Sequence, residues 1–362
     1  MATMQEVAAH AGVSIATVSF VVNGTKNVSP ATRKRVEASM TALGFRNNAI
    51  ARALASKRTR IIALLVPSVE HRMGATALEF FTSAAARASE LGYHLVLWPV
   101  ETTGDDLTDL ISSGLVDGVI LMEVKMEDAR VEKLTELKIP FISIGRTRDP
   151  SLLPFVDIDF ETTVRNSLDY LESLGHRHFG LVIEDLEHTF MAGYAPHLRS
   201  KATFLEQCDV RGISGVVVDC GPSTPGGRQA ARDLLAADPE ITAVMIMKDD
   251  STFGLVTGLT ALGKRVPEDV SILSLATSTA VGDLHEPPLS TMNAPGRELG
   301  RLAADALIRQ LDGSDGELPH VLLPCVLHES GSTGPAPTPE PAPPLSARSR
   351  RPRRMPTTAA GS

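Results

Sequence analysis

Cysteine is scarce. Cys208, Cys220 and Cys325 stand far apart in 362 residues, without zinc-ligand spacing and without an even count for a disulfide framework, so buried free thiols and no metal site are expected. No apolar run approaches the roughly 20 residues of a membrane span, and the amino terminus has no apolar signal core, so a cytoplasmic location is expected. Neither a glycine-rich dinucleotide fingerprint nor a phosphate loop follows any candidate strand, and no nucleophile motif stands out. A nucleotide enzyme is therefore disfavoured, and no cofactor is expected.

What is present is a charge division. The formal charge is −8, yet residues 1–60 carry nine Lys and Arg against Glu6 and Glu37, and residues 331–362 carry five Arg against Glu340. The middle is therefore strongly acidic. A basic head suits phosphate neutralisation, while an acidic body keeps the rest of the molecule off DNA.

The head itself has a helix-turn-helix pattern. Thr3 and Glu6 have capping-box spacing, which starts a helix near Met4. Gly12 can take the positive φ of a sharp turn, and Ser14 then caps a second helix. On that helix Val18, Val21 and Val22 form a buried stripe. Ile15, Ala16, Ser19, Phe20 and Asn23 form an uncharged opposite face suited to base edges and thymine methyls in a major groove. Ser29 and Pro30 open a third helix, striped by Val36, Met40 and Leu43 and closed by Gly44.

Residues 61–330 alternate apolar runs with helical stretches. IIALLVP, YHLVLWP, DGVILM and PFISIG are expected as buried parallel strands, with helical spacing in residues 74–91, 105–113 and 127–137 between them. A second series comprises HFGLVIE, GVVVD, TAVMIM and VSILSL. Repeated βαβ units of this kind make an α/β fold with two doubly wound lobes. In the late helix, Pro295 stands at a start and Leu299, Leu302, Ala303 and Ala306 line one face. Residues 331–362 hold eight prolines and few large apolar side chains, and are expected to be a disordered Pro/Arg-rich tail. Its arginines, Arg348 to Arg354, suit a solubilising role better than a DNA contact.

The run AGVSIATVSFVVNGTKNVSPATRKRVEASMTALGFRNNAIARAL resembles the amino-terminal signature of the lactose-repressor (LacI/GalR) family of bacterial transcription regulators. SLGHRHFGLVIE, GKRVPEDVSILSL and PPLSTMNAPGRELGRLAADALI resemble its later signatures. The resemblance implies a DNA-binding head over residues 1–47, a hinge helix and linker over 48–60, and two flavodoxin-like, periplasmic-binding-protein-like lobes. It divides the first lobe as about 61–158 and 288–319 and the second as about 159–287 and 320–330. It further implies a homodimeric, non-enzymatic regulator, a repressor by expectation, on a pseudo-palindromic double-stranded DNA operator, controlled by a small effector between the lobes. The leucine heptads of tetrameric relatives are missing at the carboxyl end, which favours a dimer.

At positions that contact phosphates or bases in the family stand Ser14, Thr17, Ser19, Asn23, Asn27, Ser29, Thr32 and Asn48, joined by Phe45 and Ala51. Ile15 and Ala16 occupy the two specificity positions. Phe20 replaces a guanine-reading arginine, and Leu54 stands where the hinge helix inserts a leucine into the minor groove. For the effector the resemblance points to the loop with Ser68, His71, Arg72 and Met73, and to Glu123, Arg199, Lys248, Asp249 and Thr277. Ala276 stands where many relatives carry an aspartate that holds the ligand, and Lys248 adds a cation where an amide is usual. A sugar-derived, anionic effector held by Arg199 and Lys248 is the resulting expectation. Two alternatives stay open: Lys248 pairs with Asp249 or Asp250 and no effector binds, or the chain is a sugar-binding protein or sugar-active enzyme with an added head.

Overall fold

The computed structural model describes residues 2–23, 26–45, 58–67, 74–104, 107–112, 114–151, 153–313 and 319–338. Helix α1 (Met4–Ala11) begins with a full capping box: Glu6 N–H donates to Thr3 Oγ1 at 3.2 Å, and Thr3 N–H donates to Glu6 Oε2 at 2.7 Å. The Thr3 N–H and the Thr3 hydroxyl, which donates to the same Oε2 at 3.1 Å, hold the Glu6 carboxyl below its ordinary value. Gly12, at φ 62°, ends α1, and α2 (Ile15–Asn23) leaves at 106° to it. Helix α3 (Pro30–Ala42) closes the head, and Val7, Ala11, Val18, Val21 and Val36 fill its core. His10 Nδ1 lies 3.0 Å from Ser39 Oγ, whose only proton goes to the Arg35 carbonyl, so His10 is the donor tying α1 to α3.

The lobes follow. In the first, β1 (Ile61–Pro67), α4 (Ala75–Glu90), β2 (His94–Val100), α5 (Leu107–Ser112), β3 (Gly118–Leu121), α6 (Ala129–Glu136), β4 (Phe141–Ile144) and β5 (Phe155–Ile158) succeed one another. In the second come α7 (Phe160–Ser173), β6 (His178–Glu184), α8 (Ala195–Arg211), β7 (Ser214–Cys220), α9 (Thr224–Ala237), β8 (Ala243–Ile246), α10 (Asp249–Ala261), β9 (Ser271–Thr277), the short α11 (Thr279–Gly282) and β10 (Ser290–Asn293). The chain then returns to the first lobe for α12 (Gly296–Leu311) and β11 (His320–Leu323), and ends in the second with β12 (Val326–His328).

The first sheet has the order β11-β5-β4-β3-β1-β2 and is parallel throughout. The second has the order β12-β10-β9-β8-β6-β7, with β12 alone antiparallel. Central strands such as β3, β4 and β8 are buried along their whole length, which is why they appear in the sequence as unbroken apolar runs. Helix α12 packs on α4 so closely that a Cβ on Gly300 would lie 2.4 Å from the Phe80 carbonyl oxygen. Among the described residues no single helix is long and apolar enough to cross a membrane.

Three expected boundaries need correction. Residues 290–293 form β10 of the second sheet, so the return to the first lobe comes after Asn293 rather than at 288. Residues 320–323 form β11 of the first sheet, so the final crossing follows Leu323. Residues 331–338 are not the start of a loose tail. Ser332 is fully buried and donates to the Ile272 carbonyl, and Ala336 N–H donates to the Leu174 carbonyl at 2.8 Å. Small residues that satisfy backbone groups at the start of a central strand and the end of a helix need no apolar side chain to be fixed, which is why composition misleads there.

Candidate nucleic-acid interface and ligand cleft

On the head, Ser14 Oγ accepts from Thr17 N–H at 3.1 Å and caps α2, while Ser29 Oγ accepts from Thr32 N–H at 3.3 Å and caps α3. Both hydroxyl pairs therefore sit at helix amino termini, where orphan amides and the positive end of the macrodipole favour phosphate. Ile15 is 49% exposed, Ala16 and Asn27 are exposed, and Thr17, Ser19 and Phe20 are half-buried along the same helix. Asn23 ends α2. Lys26 holds its Nζ 5.1 Å from the centroid of the Phe20 ring. The uncharged reading face thus carries a cation at its end that sequence spacing alone did not reveal.

Phe45 stands just past the end of the third helix. It packs, partly buried, against the head core. Asn48, Ala51 and Leu54, with the expected hinge helix, lie outside the described residues, as do Ser68, His71, Arg72 and Met73.

Between the lobes lies a cavity of about 280 Å³, walled by strand carboxyl ends and helix amino termini from both sheets. Phe80, Ile144, Phe160, Tyr194 and Leu275 supply apolar surface, and Glu123, Asp157, Glu184, Asp249 and Asp250 line it with carboxylates. Glu123 and Ala276 hold positive φ, at 54° and 53°, at opposite rims. Thr76, on the first turn of α4, reaches across and donates to the Ala276 carbonyl at 2.8 Å. On another side Met126 N–H donates to the Gly193 carbonyl at 2.8 Å and Ala195 N–H to that of Val124 at 3.1 Å.

Burial acts on these acids. It pushes the Asp157 carboxyl up to about 7, against the pull of the Arg146 guanidinium. Asp249 is raised by burial and by Asp250 beside it, while the Thr277 hydroxyl and Lys248 act in the opposite direction. Tyr194 is raised by burial and by the surrounding carboxylates.

The expected anion-binding pair is not assembled. Lys248 Nζ lies 2.7 Å from Glu184 Oε2, so its partner is neither Asp249 nor Asp250. Arg199 is absent from the cavity wall: its guanidinium goes to Glu161 and to the Thr147 carbonyl. Among the described residues the wall therefore holds five carboxylates and one lysine already in an ion pair, a poor surface for an anion. Glu123, Lys248 and Asp249 do converge there, while Thr277, buried at the end of β9, backs the site. Asp157, Glu184 and Tyr194 were not anticipated. A lone carboxylate inside the apolar run FVDI, and another closing HFGLVIE, were the available signals.

A family model described as bacterial regulatory proteins, lacI family, matches residues 3–48, and one for a periplasmic binding protein-like domain matches residues 168–333. Catabolite control protein A of Priestia megaterium is 28% identical over 326 residues, covering 88% of this chain and 96% of that protein. The HTH-type transcriptional regulator CelR of Thermobifida fusca is 30% identical over 350 residues, covering 91% and 98%. Among solved structures, the lac repressor dimer bound to operator and the anti-inducer ONPF matches with a TM-score of 0.77 at 25% identity, covering 92% of this chain and 99% of that one. The complex of the regulator CelR with cellobiose matches with a TM-score of 0.68 at 26% identity, covering 92% and 100%.

Proposed function

The chain belongs to the lacI family of bacterial regulatory proteins, and from that premise we propose a cytoplasmic repressor that binds a pseudo-palindromic operator as a homodimer and answers to a small ligand between its lobes. It is a DNA-binding transcriptional regulator and not an enzyme. Two identical heads on a dyad match two half-sites related by the same symmetry. The observation that carries the reading is the α2 face, where Ile15 and Ala16 stand exposed just beyond a serine-capped helix start. On the second lobe Phe253 is 54% exposed and Leu284 79%, apolar surface that suits a second copy of the chain.

The ligand that the wall favours is polyhydroxylated and uncharged. Carboxylates accept hydrogen bonds from hydroxyls, the apolar surface takes the flat face of a ring, and a phosphate or acid group would meet like charge. The related CelR has been solved with cellobiose, and a cavity of about 280 Å³ suits one sugar ring better than two. Footprinting the full chain on DNA selected from a random pool tests this reading. A protected dyad that weakens or strengthens when one neutral monosaccharide is added supports it; no protected dyad at moderate salt defeats it.

A further inference from the structure

Arg199 does not face the cavity, and what it does instead joins the lobes. Glu161 sits in the first turn of α7, just past the first crossing between lobes, and each of its oxygens takes an arginine from a different lobe. Arg146, which follows β4 in the first lobe, places Nη2 2.5 Å from Oε2; Arg199, on α8 of the second, places Nη1 3.3 Å from Oε1. Arg199 Nη2 also donates to the first-lobe carbonyl of Thr147 at 2.7 Å. Arg146 Nε donates to Asp157 Oδ2 at 3.2 Å, and Asp157 is a wall residue of the cavity. Both arginine side chains are 13% exposed and Glu161 24%, so bulk salt screens the cluster weakly.

Resting on the reading of the cavity as a ligand site, we infer that Glu161 is an inter-lobe positioning residue: it clasps Arg146 of one lobe to Arg199 of the other, and through Arg146 it couples lobe separation to whatever occupies the cavity at Asp157. Two guanidinium groups and two carboxylates balance. Removing the Glu161 charge leaves two like charges close together with one carboxylate to share, and they drive the lobes apart. A ligand hydroxyl donating to Asp157 favours its ionised form, which holds Arg146 within reach of Glu161 and keeps the clasp shut. The clasp is thus a two-position element that the ligand biases, as a coupling claim requires.

Hydrogen exchange on the full, ligand-free chain tests the clasp. The amides of Met126 and Ala195 cross between lobes, whereas Met122 N–H bonds to Leu65 O at 3.1 Å within the first sheet and Met247 N–H to Val182 O at 3.0 Å within the second. Glu161→Gln should speed exchange at Met126 and Ala195 by about tenfold and leave Met122 and Met247 unchanged. Arg199→Gln should speed the same two amides, because it removes the bond to the first-lobe Thr147 carbonyl as well as the Glu161 contact, and the double variant should speed them at least as much as either alone while the two control amides stay unchanged. Arg199→Gln carries the test if Glu161→Gln does not fold. Unchanged exchange at the two crossing amides, or equal acceleration at the two control amides, overturns the clasp. Neither DNA nor ligand enters this measurement, so failure of the clasp leaves the regulator reading standing, and failure of the footprint leaves the exchange result intact.

Discussion

Lys248 Nζ stands 2.7 Å from Glu184 Oε2 inside the cleft, with the two side chains only 13% and 7% exposed. Two charges so placed depend on each other. Lys248→Ala should cost about 3–5 kcal/mol of stability by stranding the carboxylate, and Lys248→Met with Glu184→Gln should recover most of it. Denaturant unfolding of the three proteins at pH 7 checks this, and equal stability of the single and double variants would contradict it.

Phe20 carries the Lys26 ammonium over its ring, so the reading face has a cation where the helix itself has none. Phe20→Arg should shift selected sites towards guanine at one symmetric position, by about 1–3 kcal/mol of discrimination. Lys26→Ala should weaken binding, and the pattern of loss assigns the contact: an altered motif means base reading, whereas an unchanged motif with a shallower salt dependence means phosphate. Binding-site selection with both proteins, at two salt concentrations, gives the answer.

Asp157 is displaced from an ordinary 3.8 to about 7 by burial. The folded chain therefore keeps a proton that the unfolded chain releases between those values, so this group favours folding at low pH and the benefit is lost as pH rises towards 7. Asp157→Asn cannot lose that proton. Its Tm relative to the parent should rise steadily from about pH 4 to about pH 7 and then level off. A constant difference across that window would show an ordinary carboxyl.

His176 is fully buried and holds the stretch 331–338: its Nε2 lies 3.0 Å from the Gly334 carbonyl and its Nδ1 2.9 Å from Thr242 Oγ1. A chain ending at Ser330 should lose about 3 kcal/mol or more, since it leaves buried groups of the second lobe without partners. One ending at Thr338 should melt like the parent. Thermal melts of the two truncations separate these outcomes.

Phe253 and the ring of His285 lie 6.2 Å apart, beside the exposed Leu284. If this surface meets a second copy, Phe253→Asp and Leu284→Asp should each raise the dimer dissociation constant by about tenfold or more without lowering Tm of the monomer. Sedimentation equilibrium reads the change directly.

How much the sequence announced depended on whether a local rule had a local cause. The Thr3 and Glu6 cap, the Gly12 turn and the Ser29 cap are each made by residues a few positions apart, and each appears in the structure as spacing predicts. Long apolar runs such as IIALLVP likewise became strands. The short strands STMN and HVLL gave no such signal, because their place is set by partners in distant parts of the chain: Thr291 beside Ser274, and Val321 beside Val156. The cleft failed for the same reason. Arg199 was assigned by its place in the chain, yet the carboxylate that claims it, Glu161, is 38 residues away and belongs to a helix with no motif of its own.

The chain passes from one lobe to the other three times, after β5, after β10 and after β11. The first and last of these crossings touch, Asp159 N–H donating to the Leu323 carbonyl at 2.9 Å, and three linkers together act as a flexure rather than a swivel: they bend more readily than they twist or slide. Lobe motion is thereby reduced to a single coordinate, opening or closing, and any event in the cavity can transmit only a change along it. Inserting a residue into one linker alone would unbalance the three and tilt the bending axis, whereas lengthening all three together would preserve its direction.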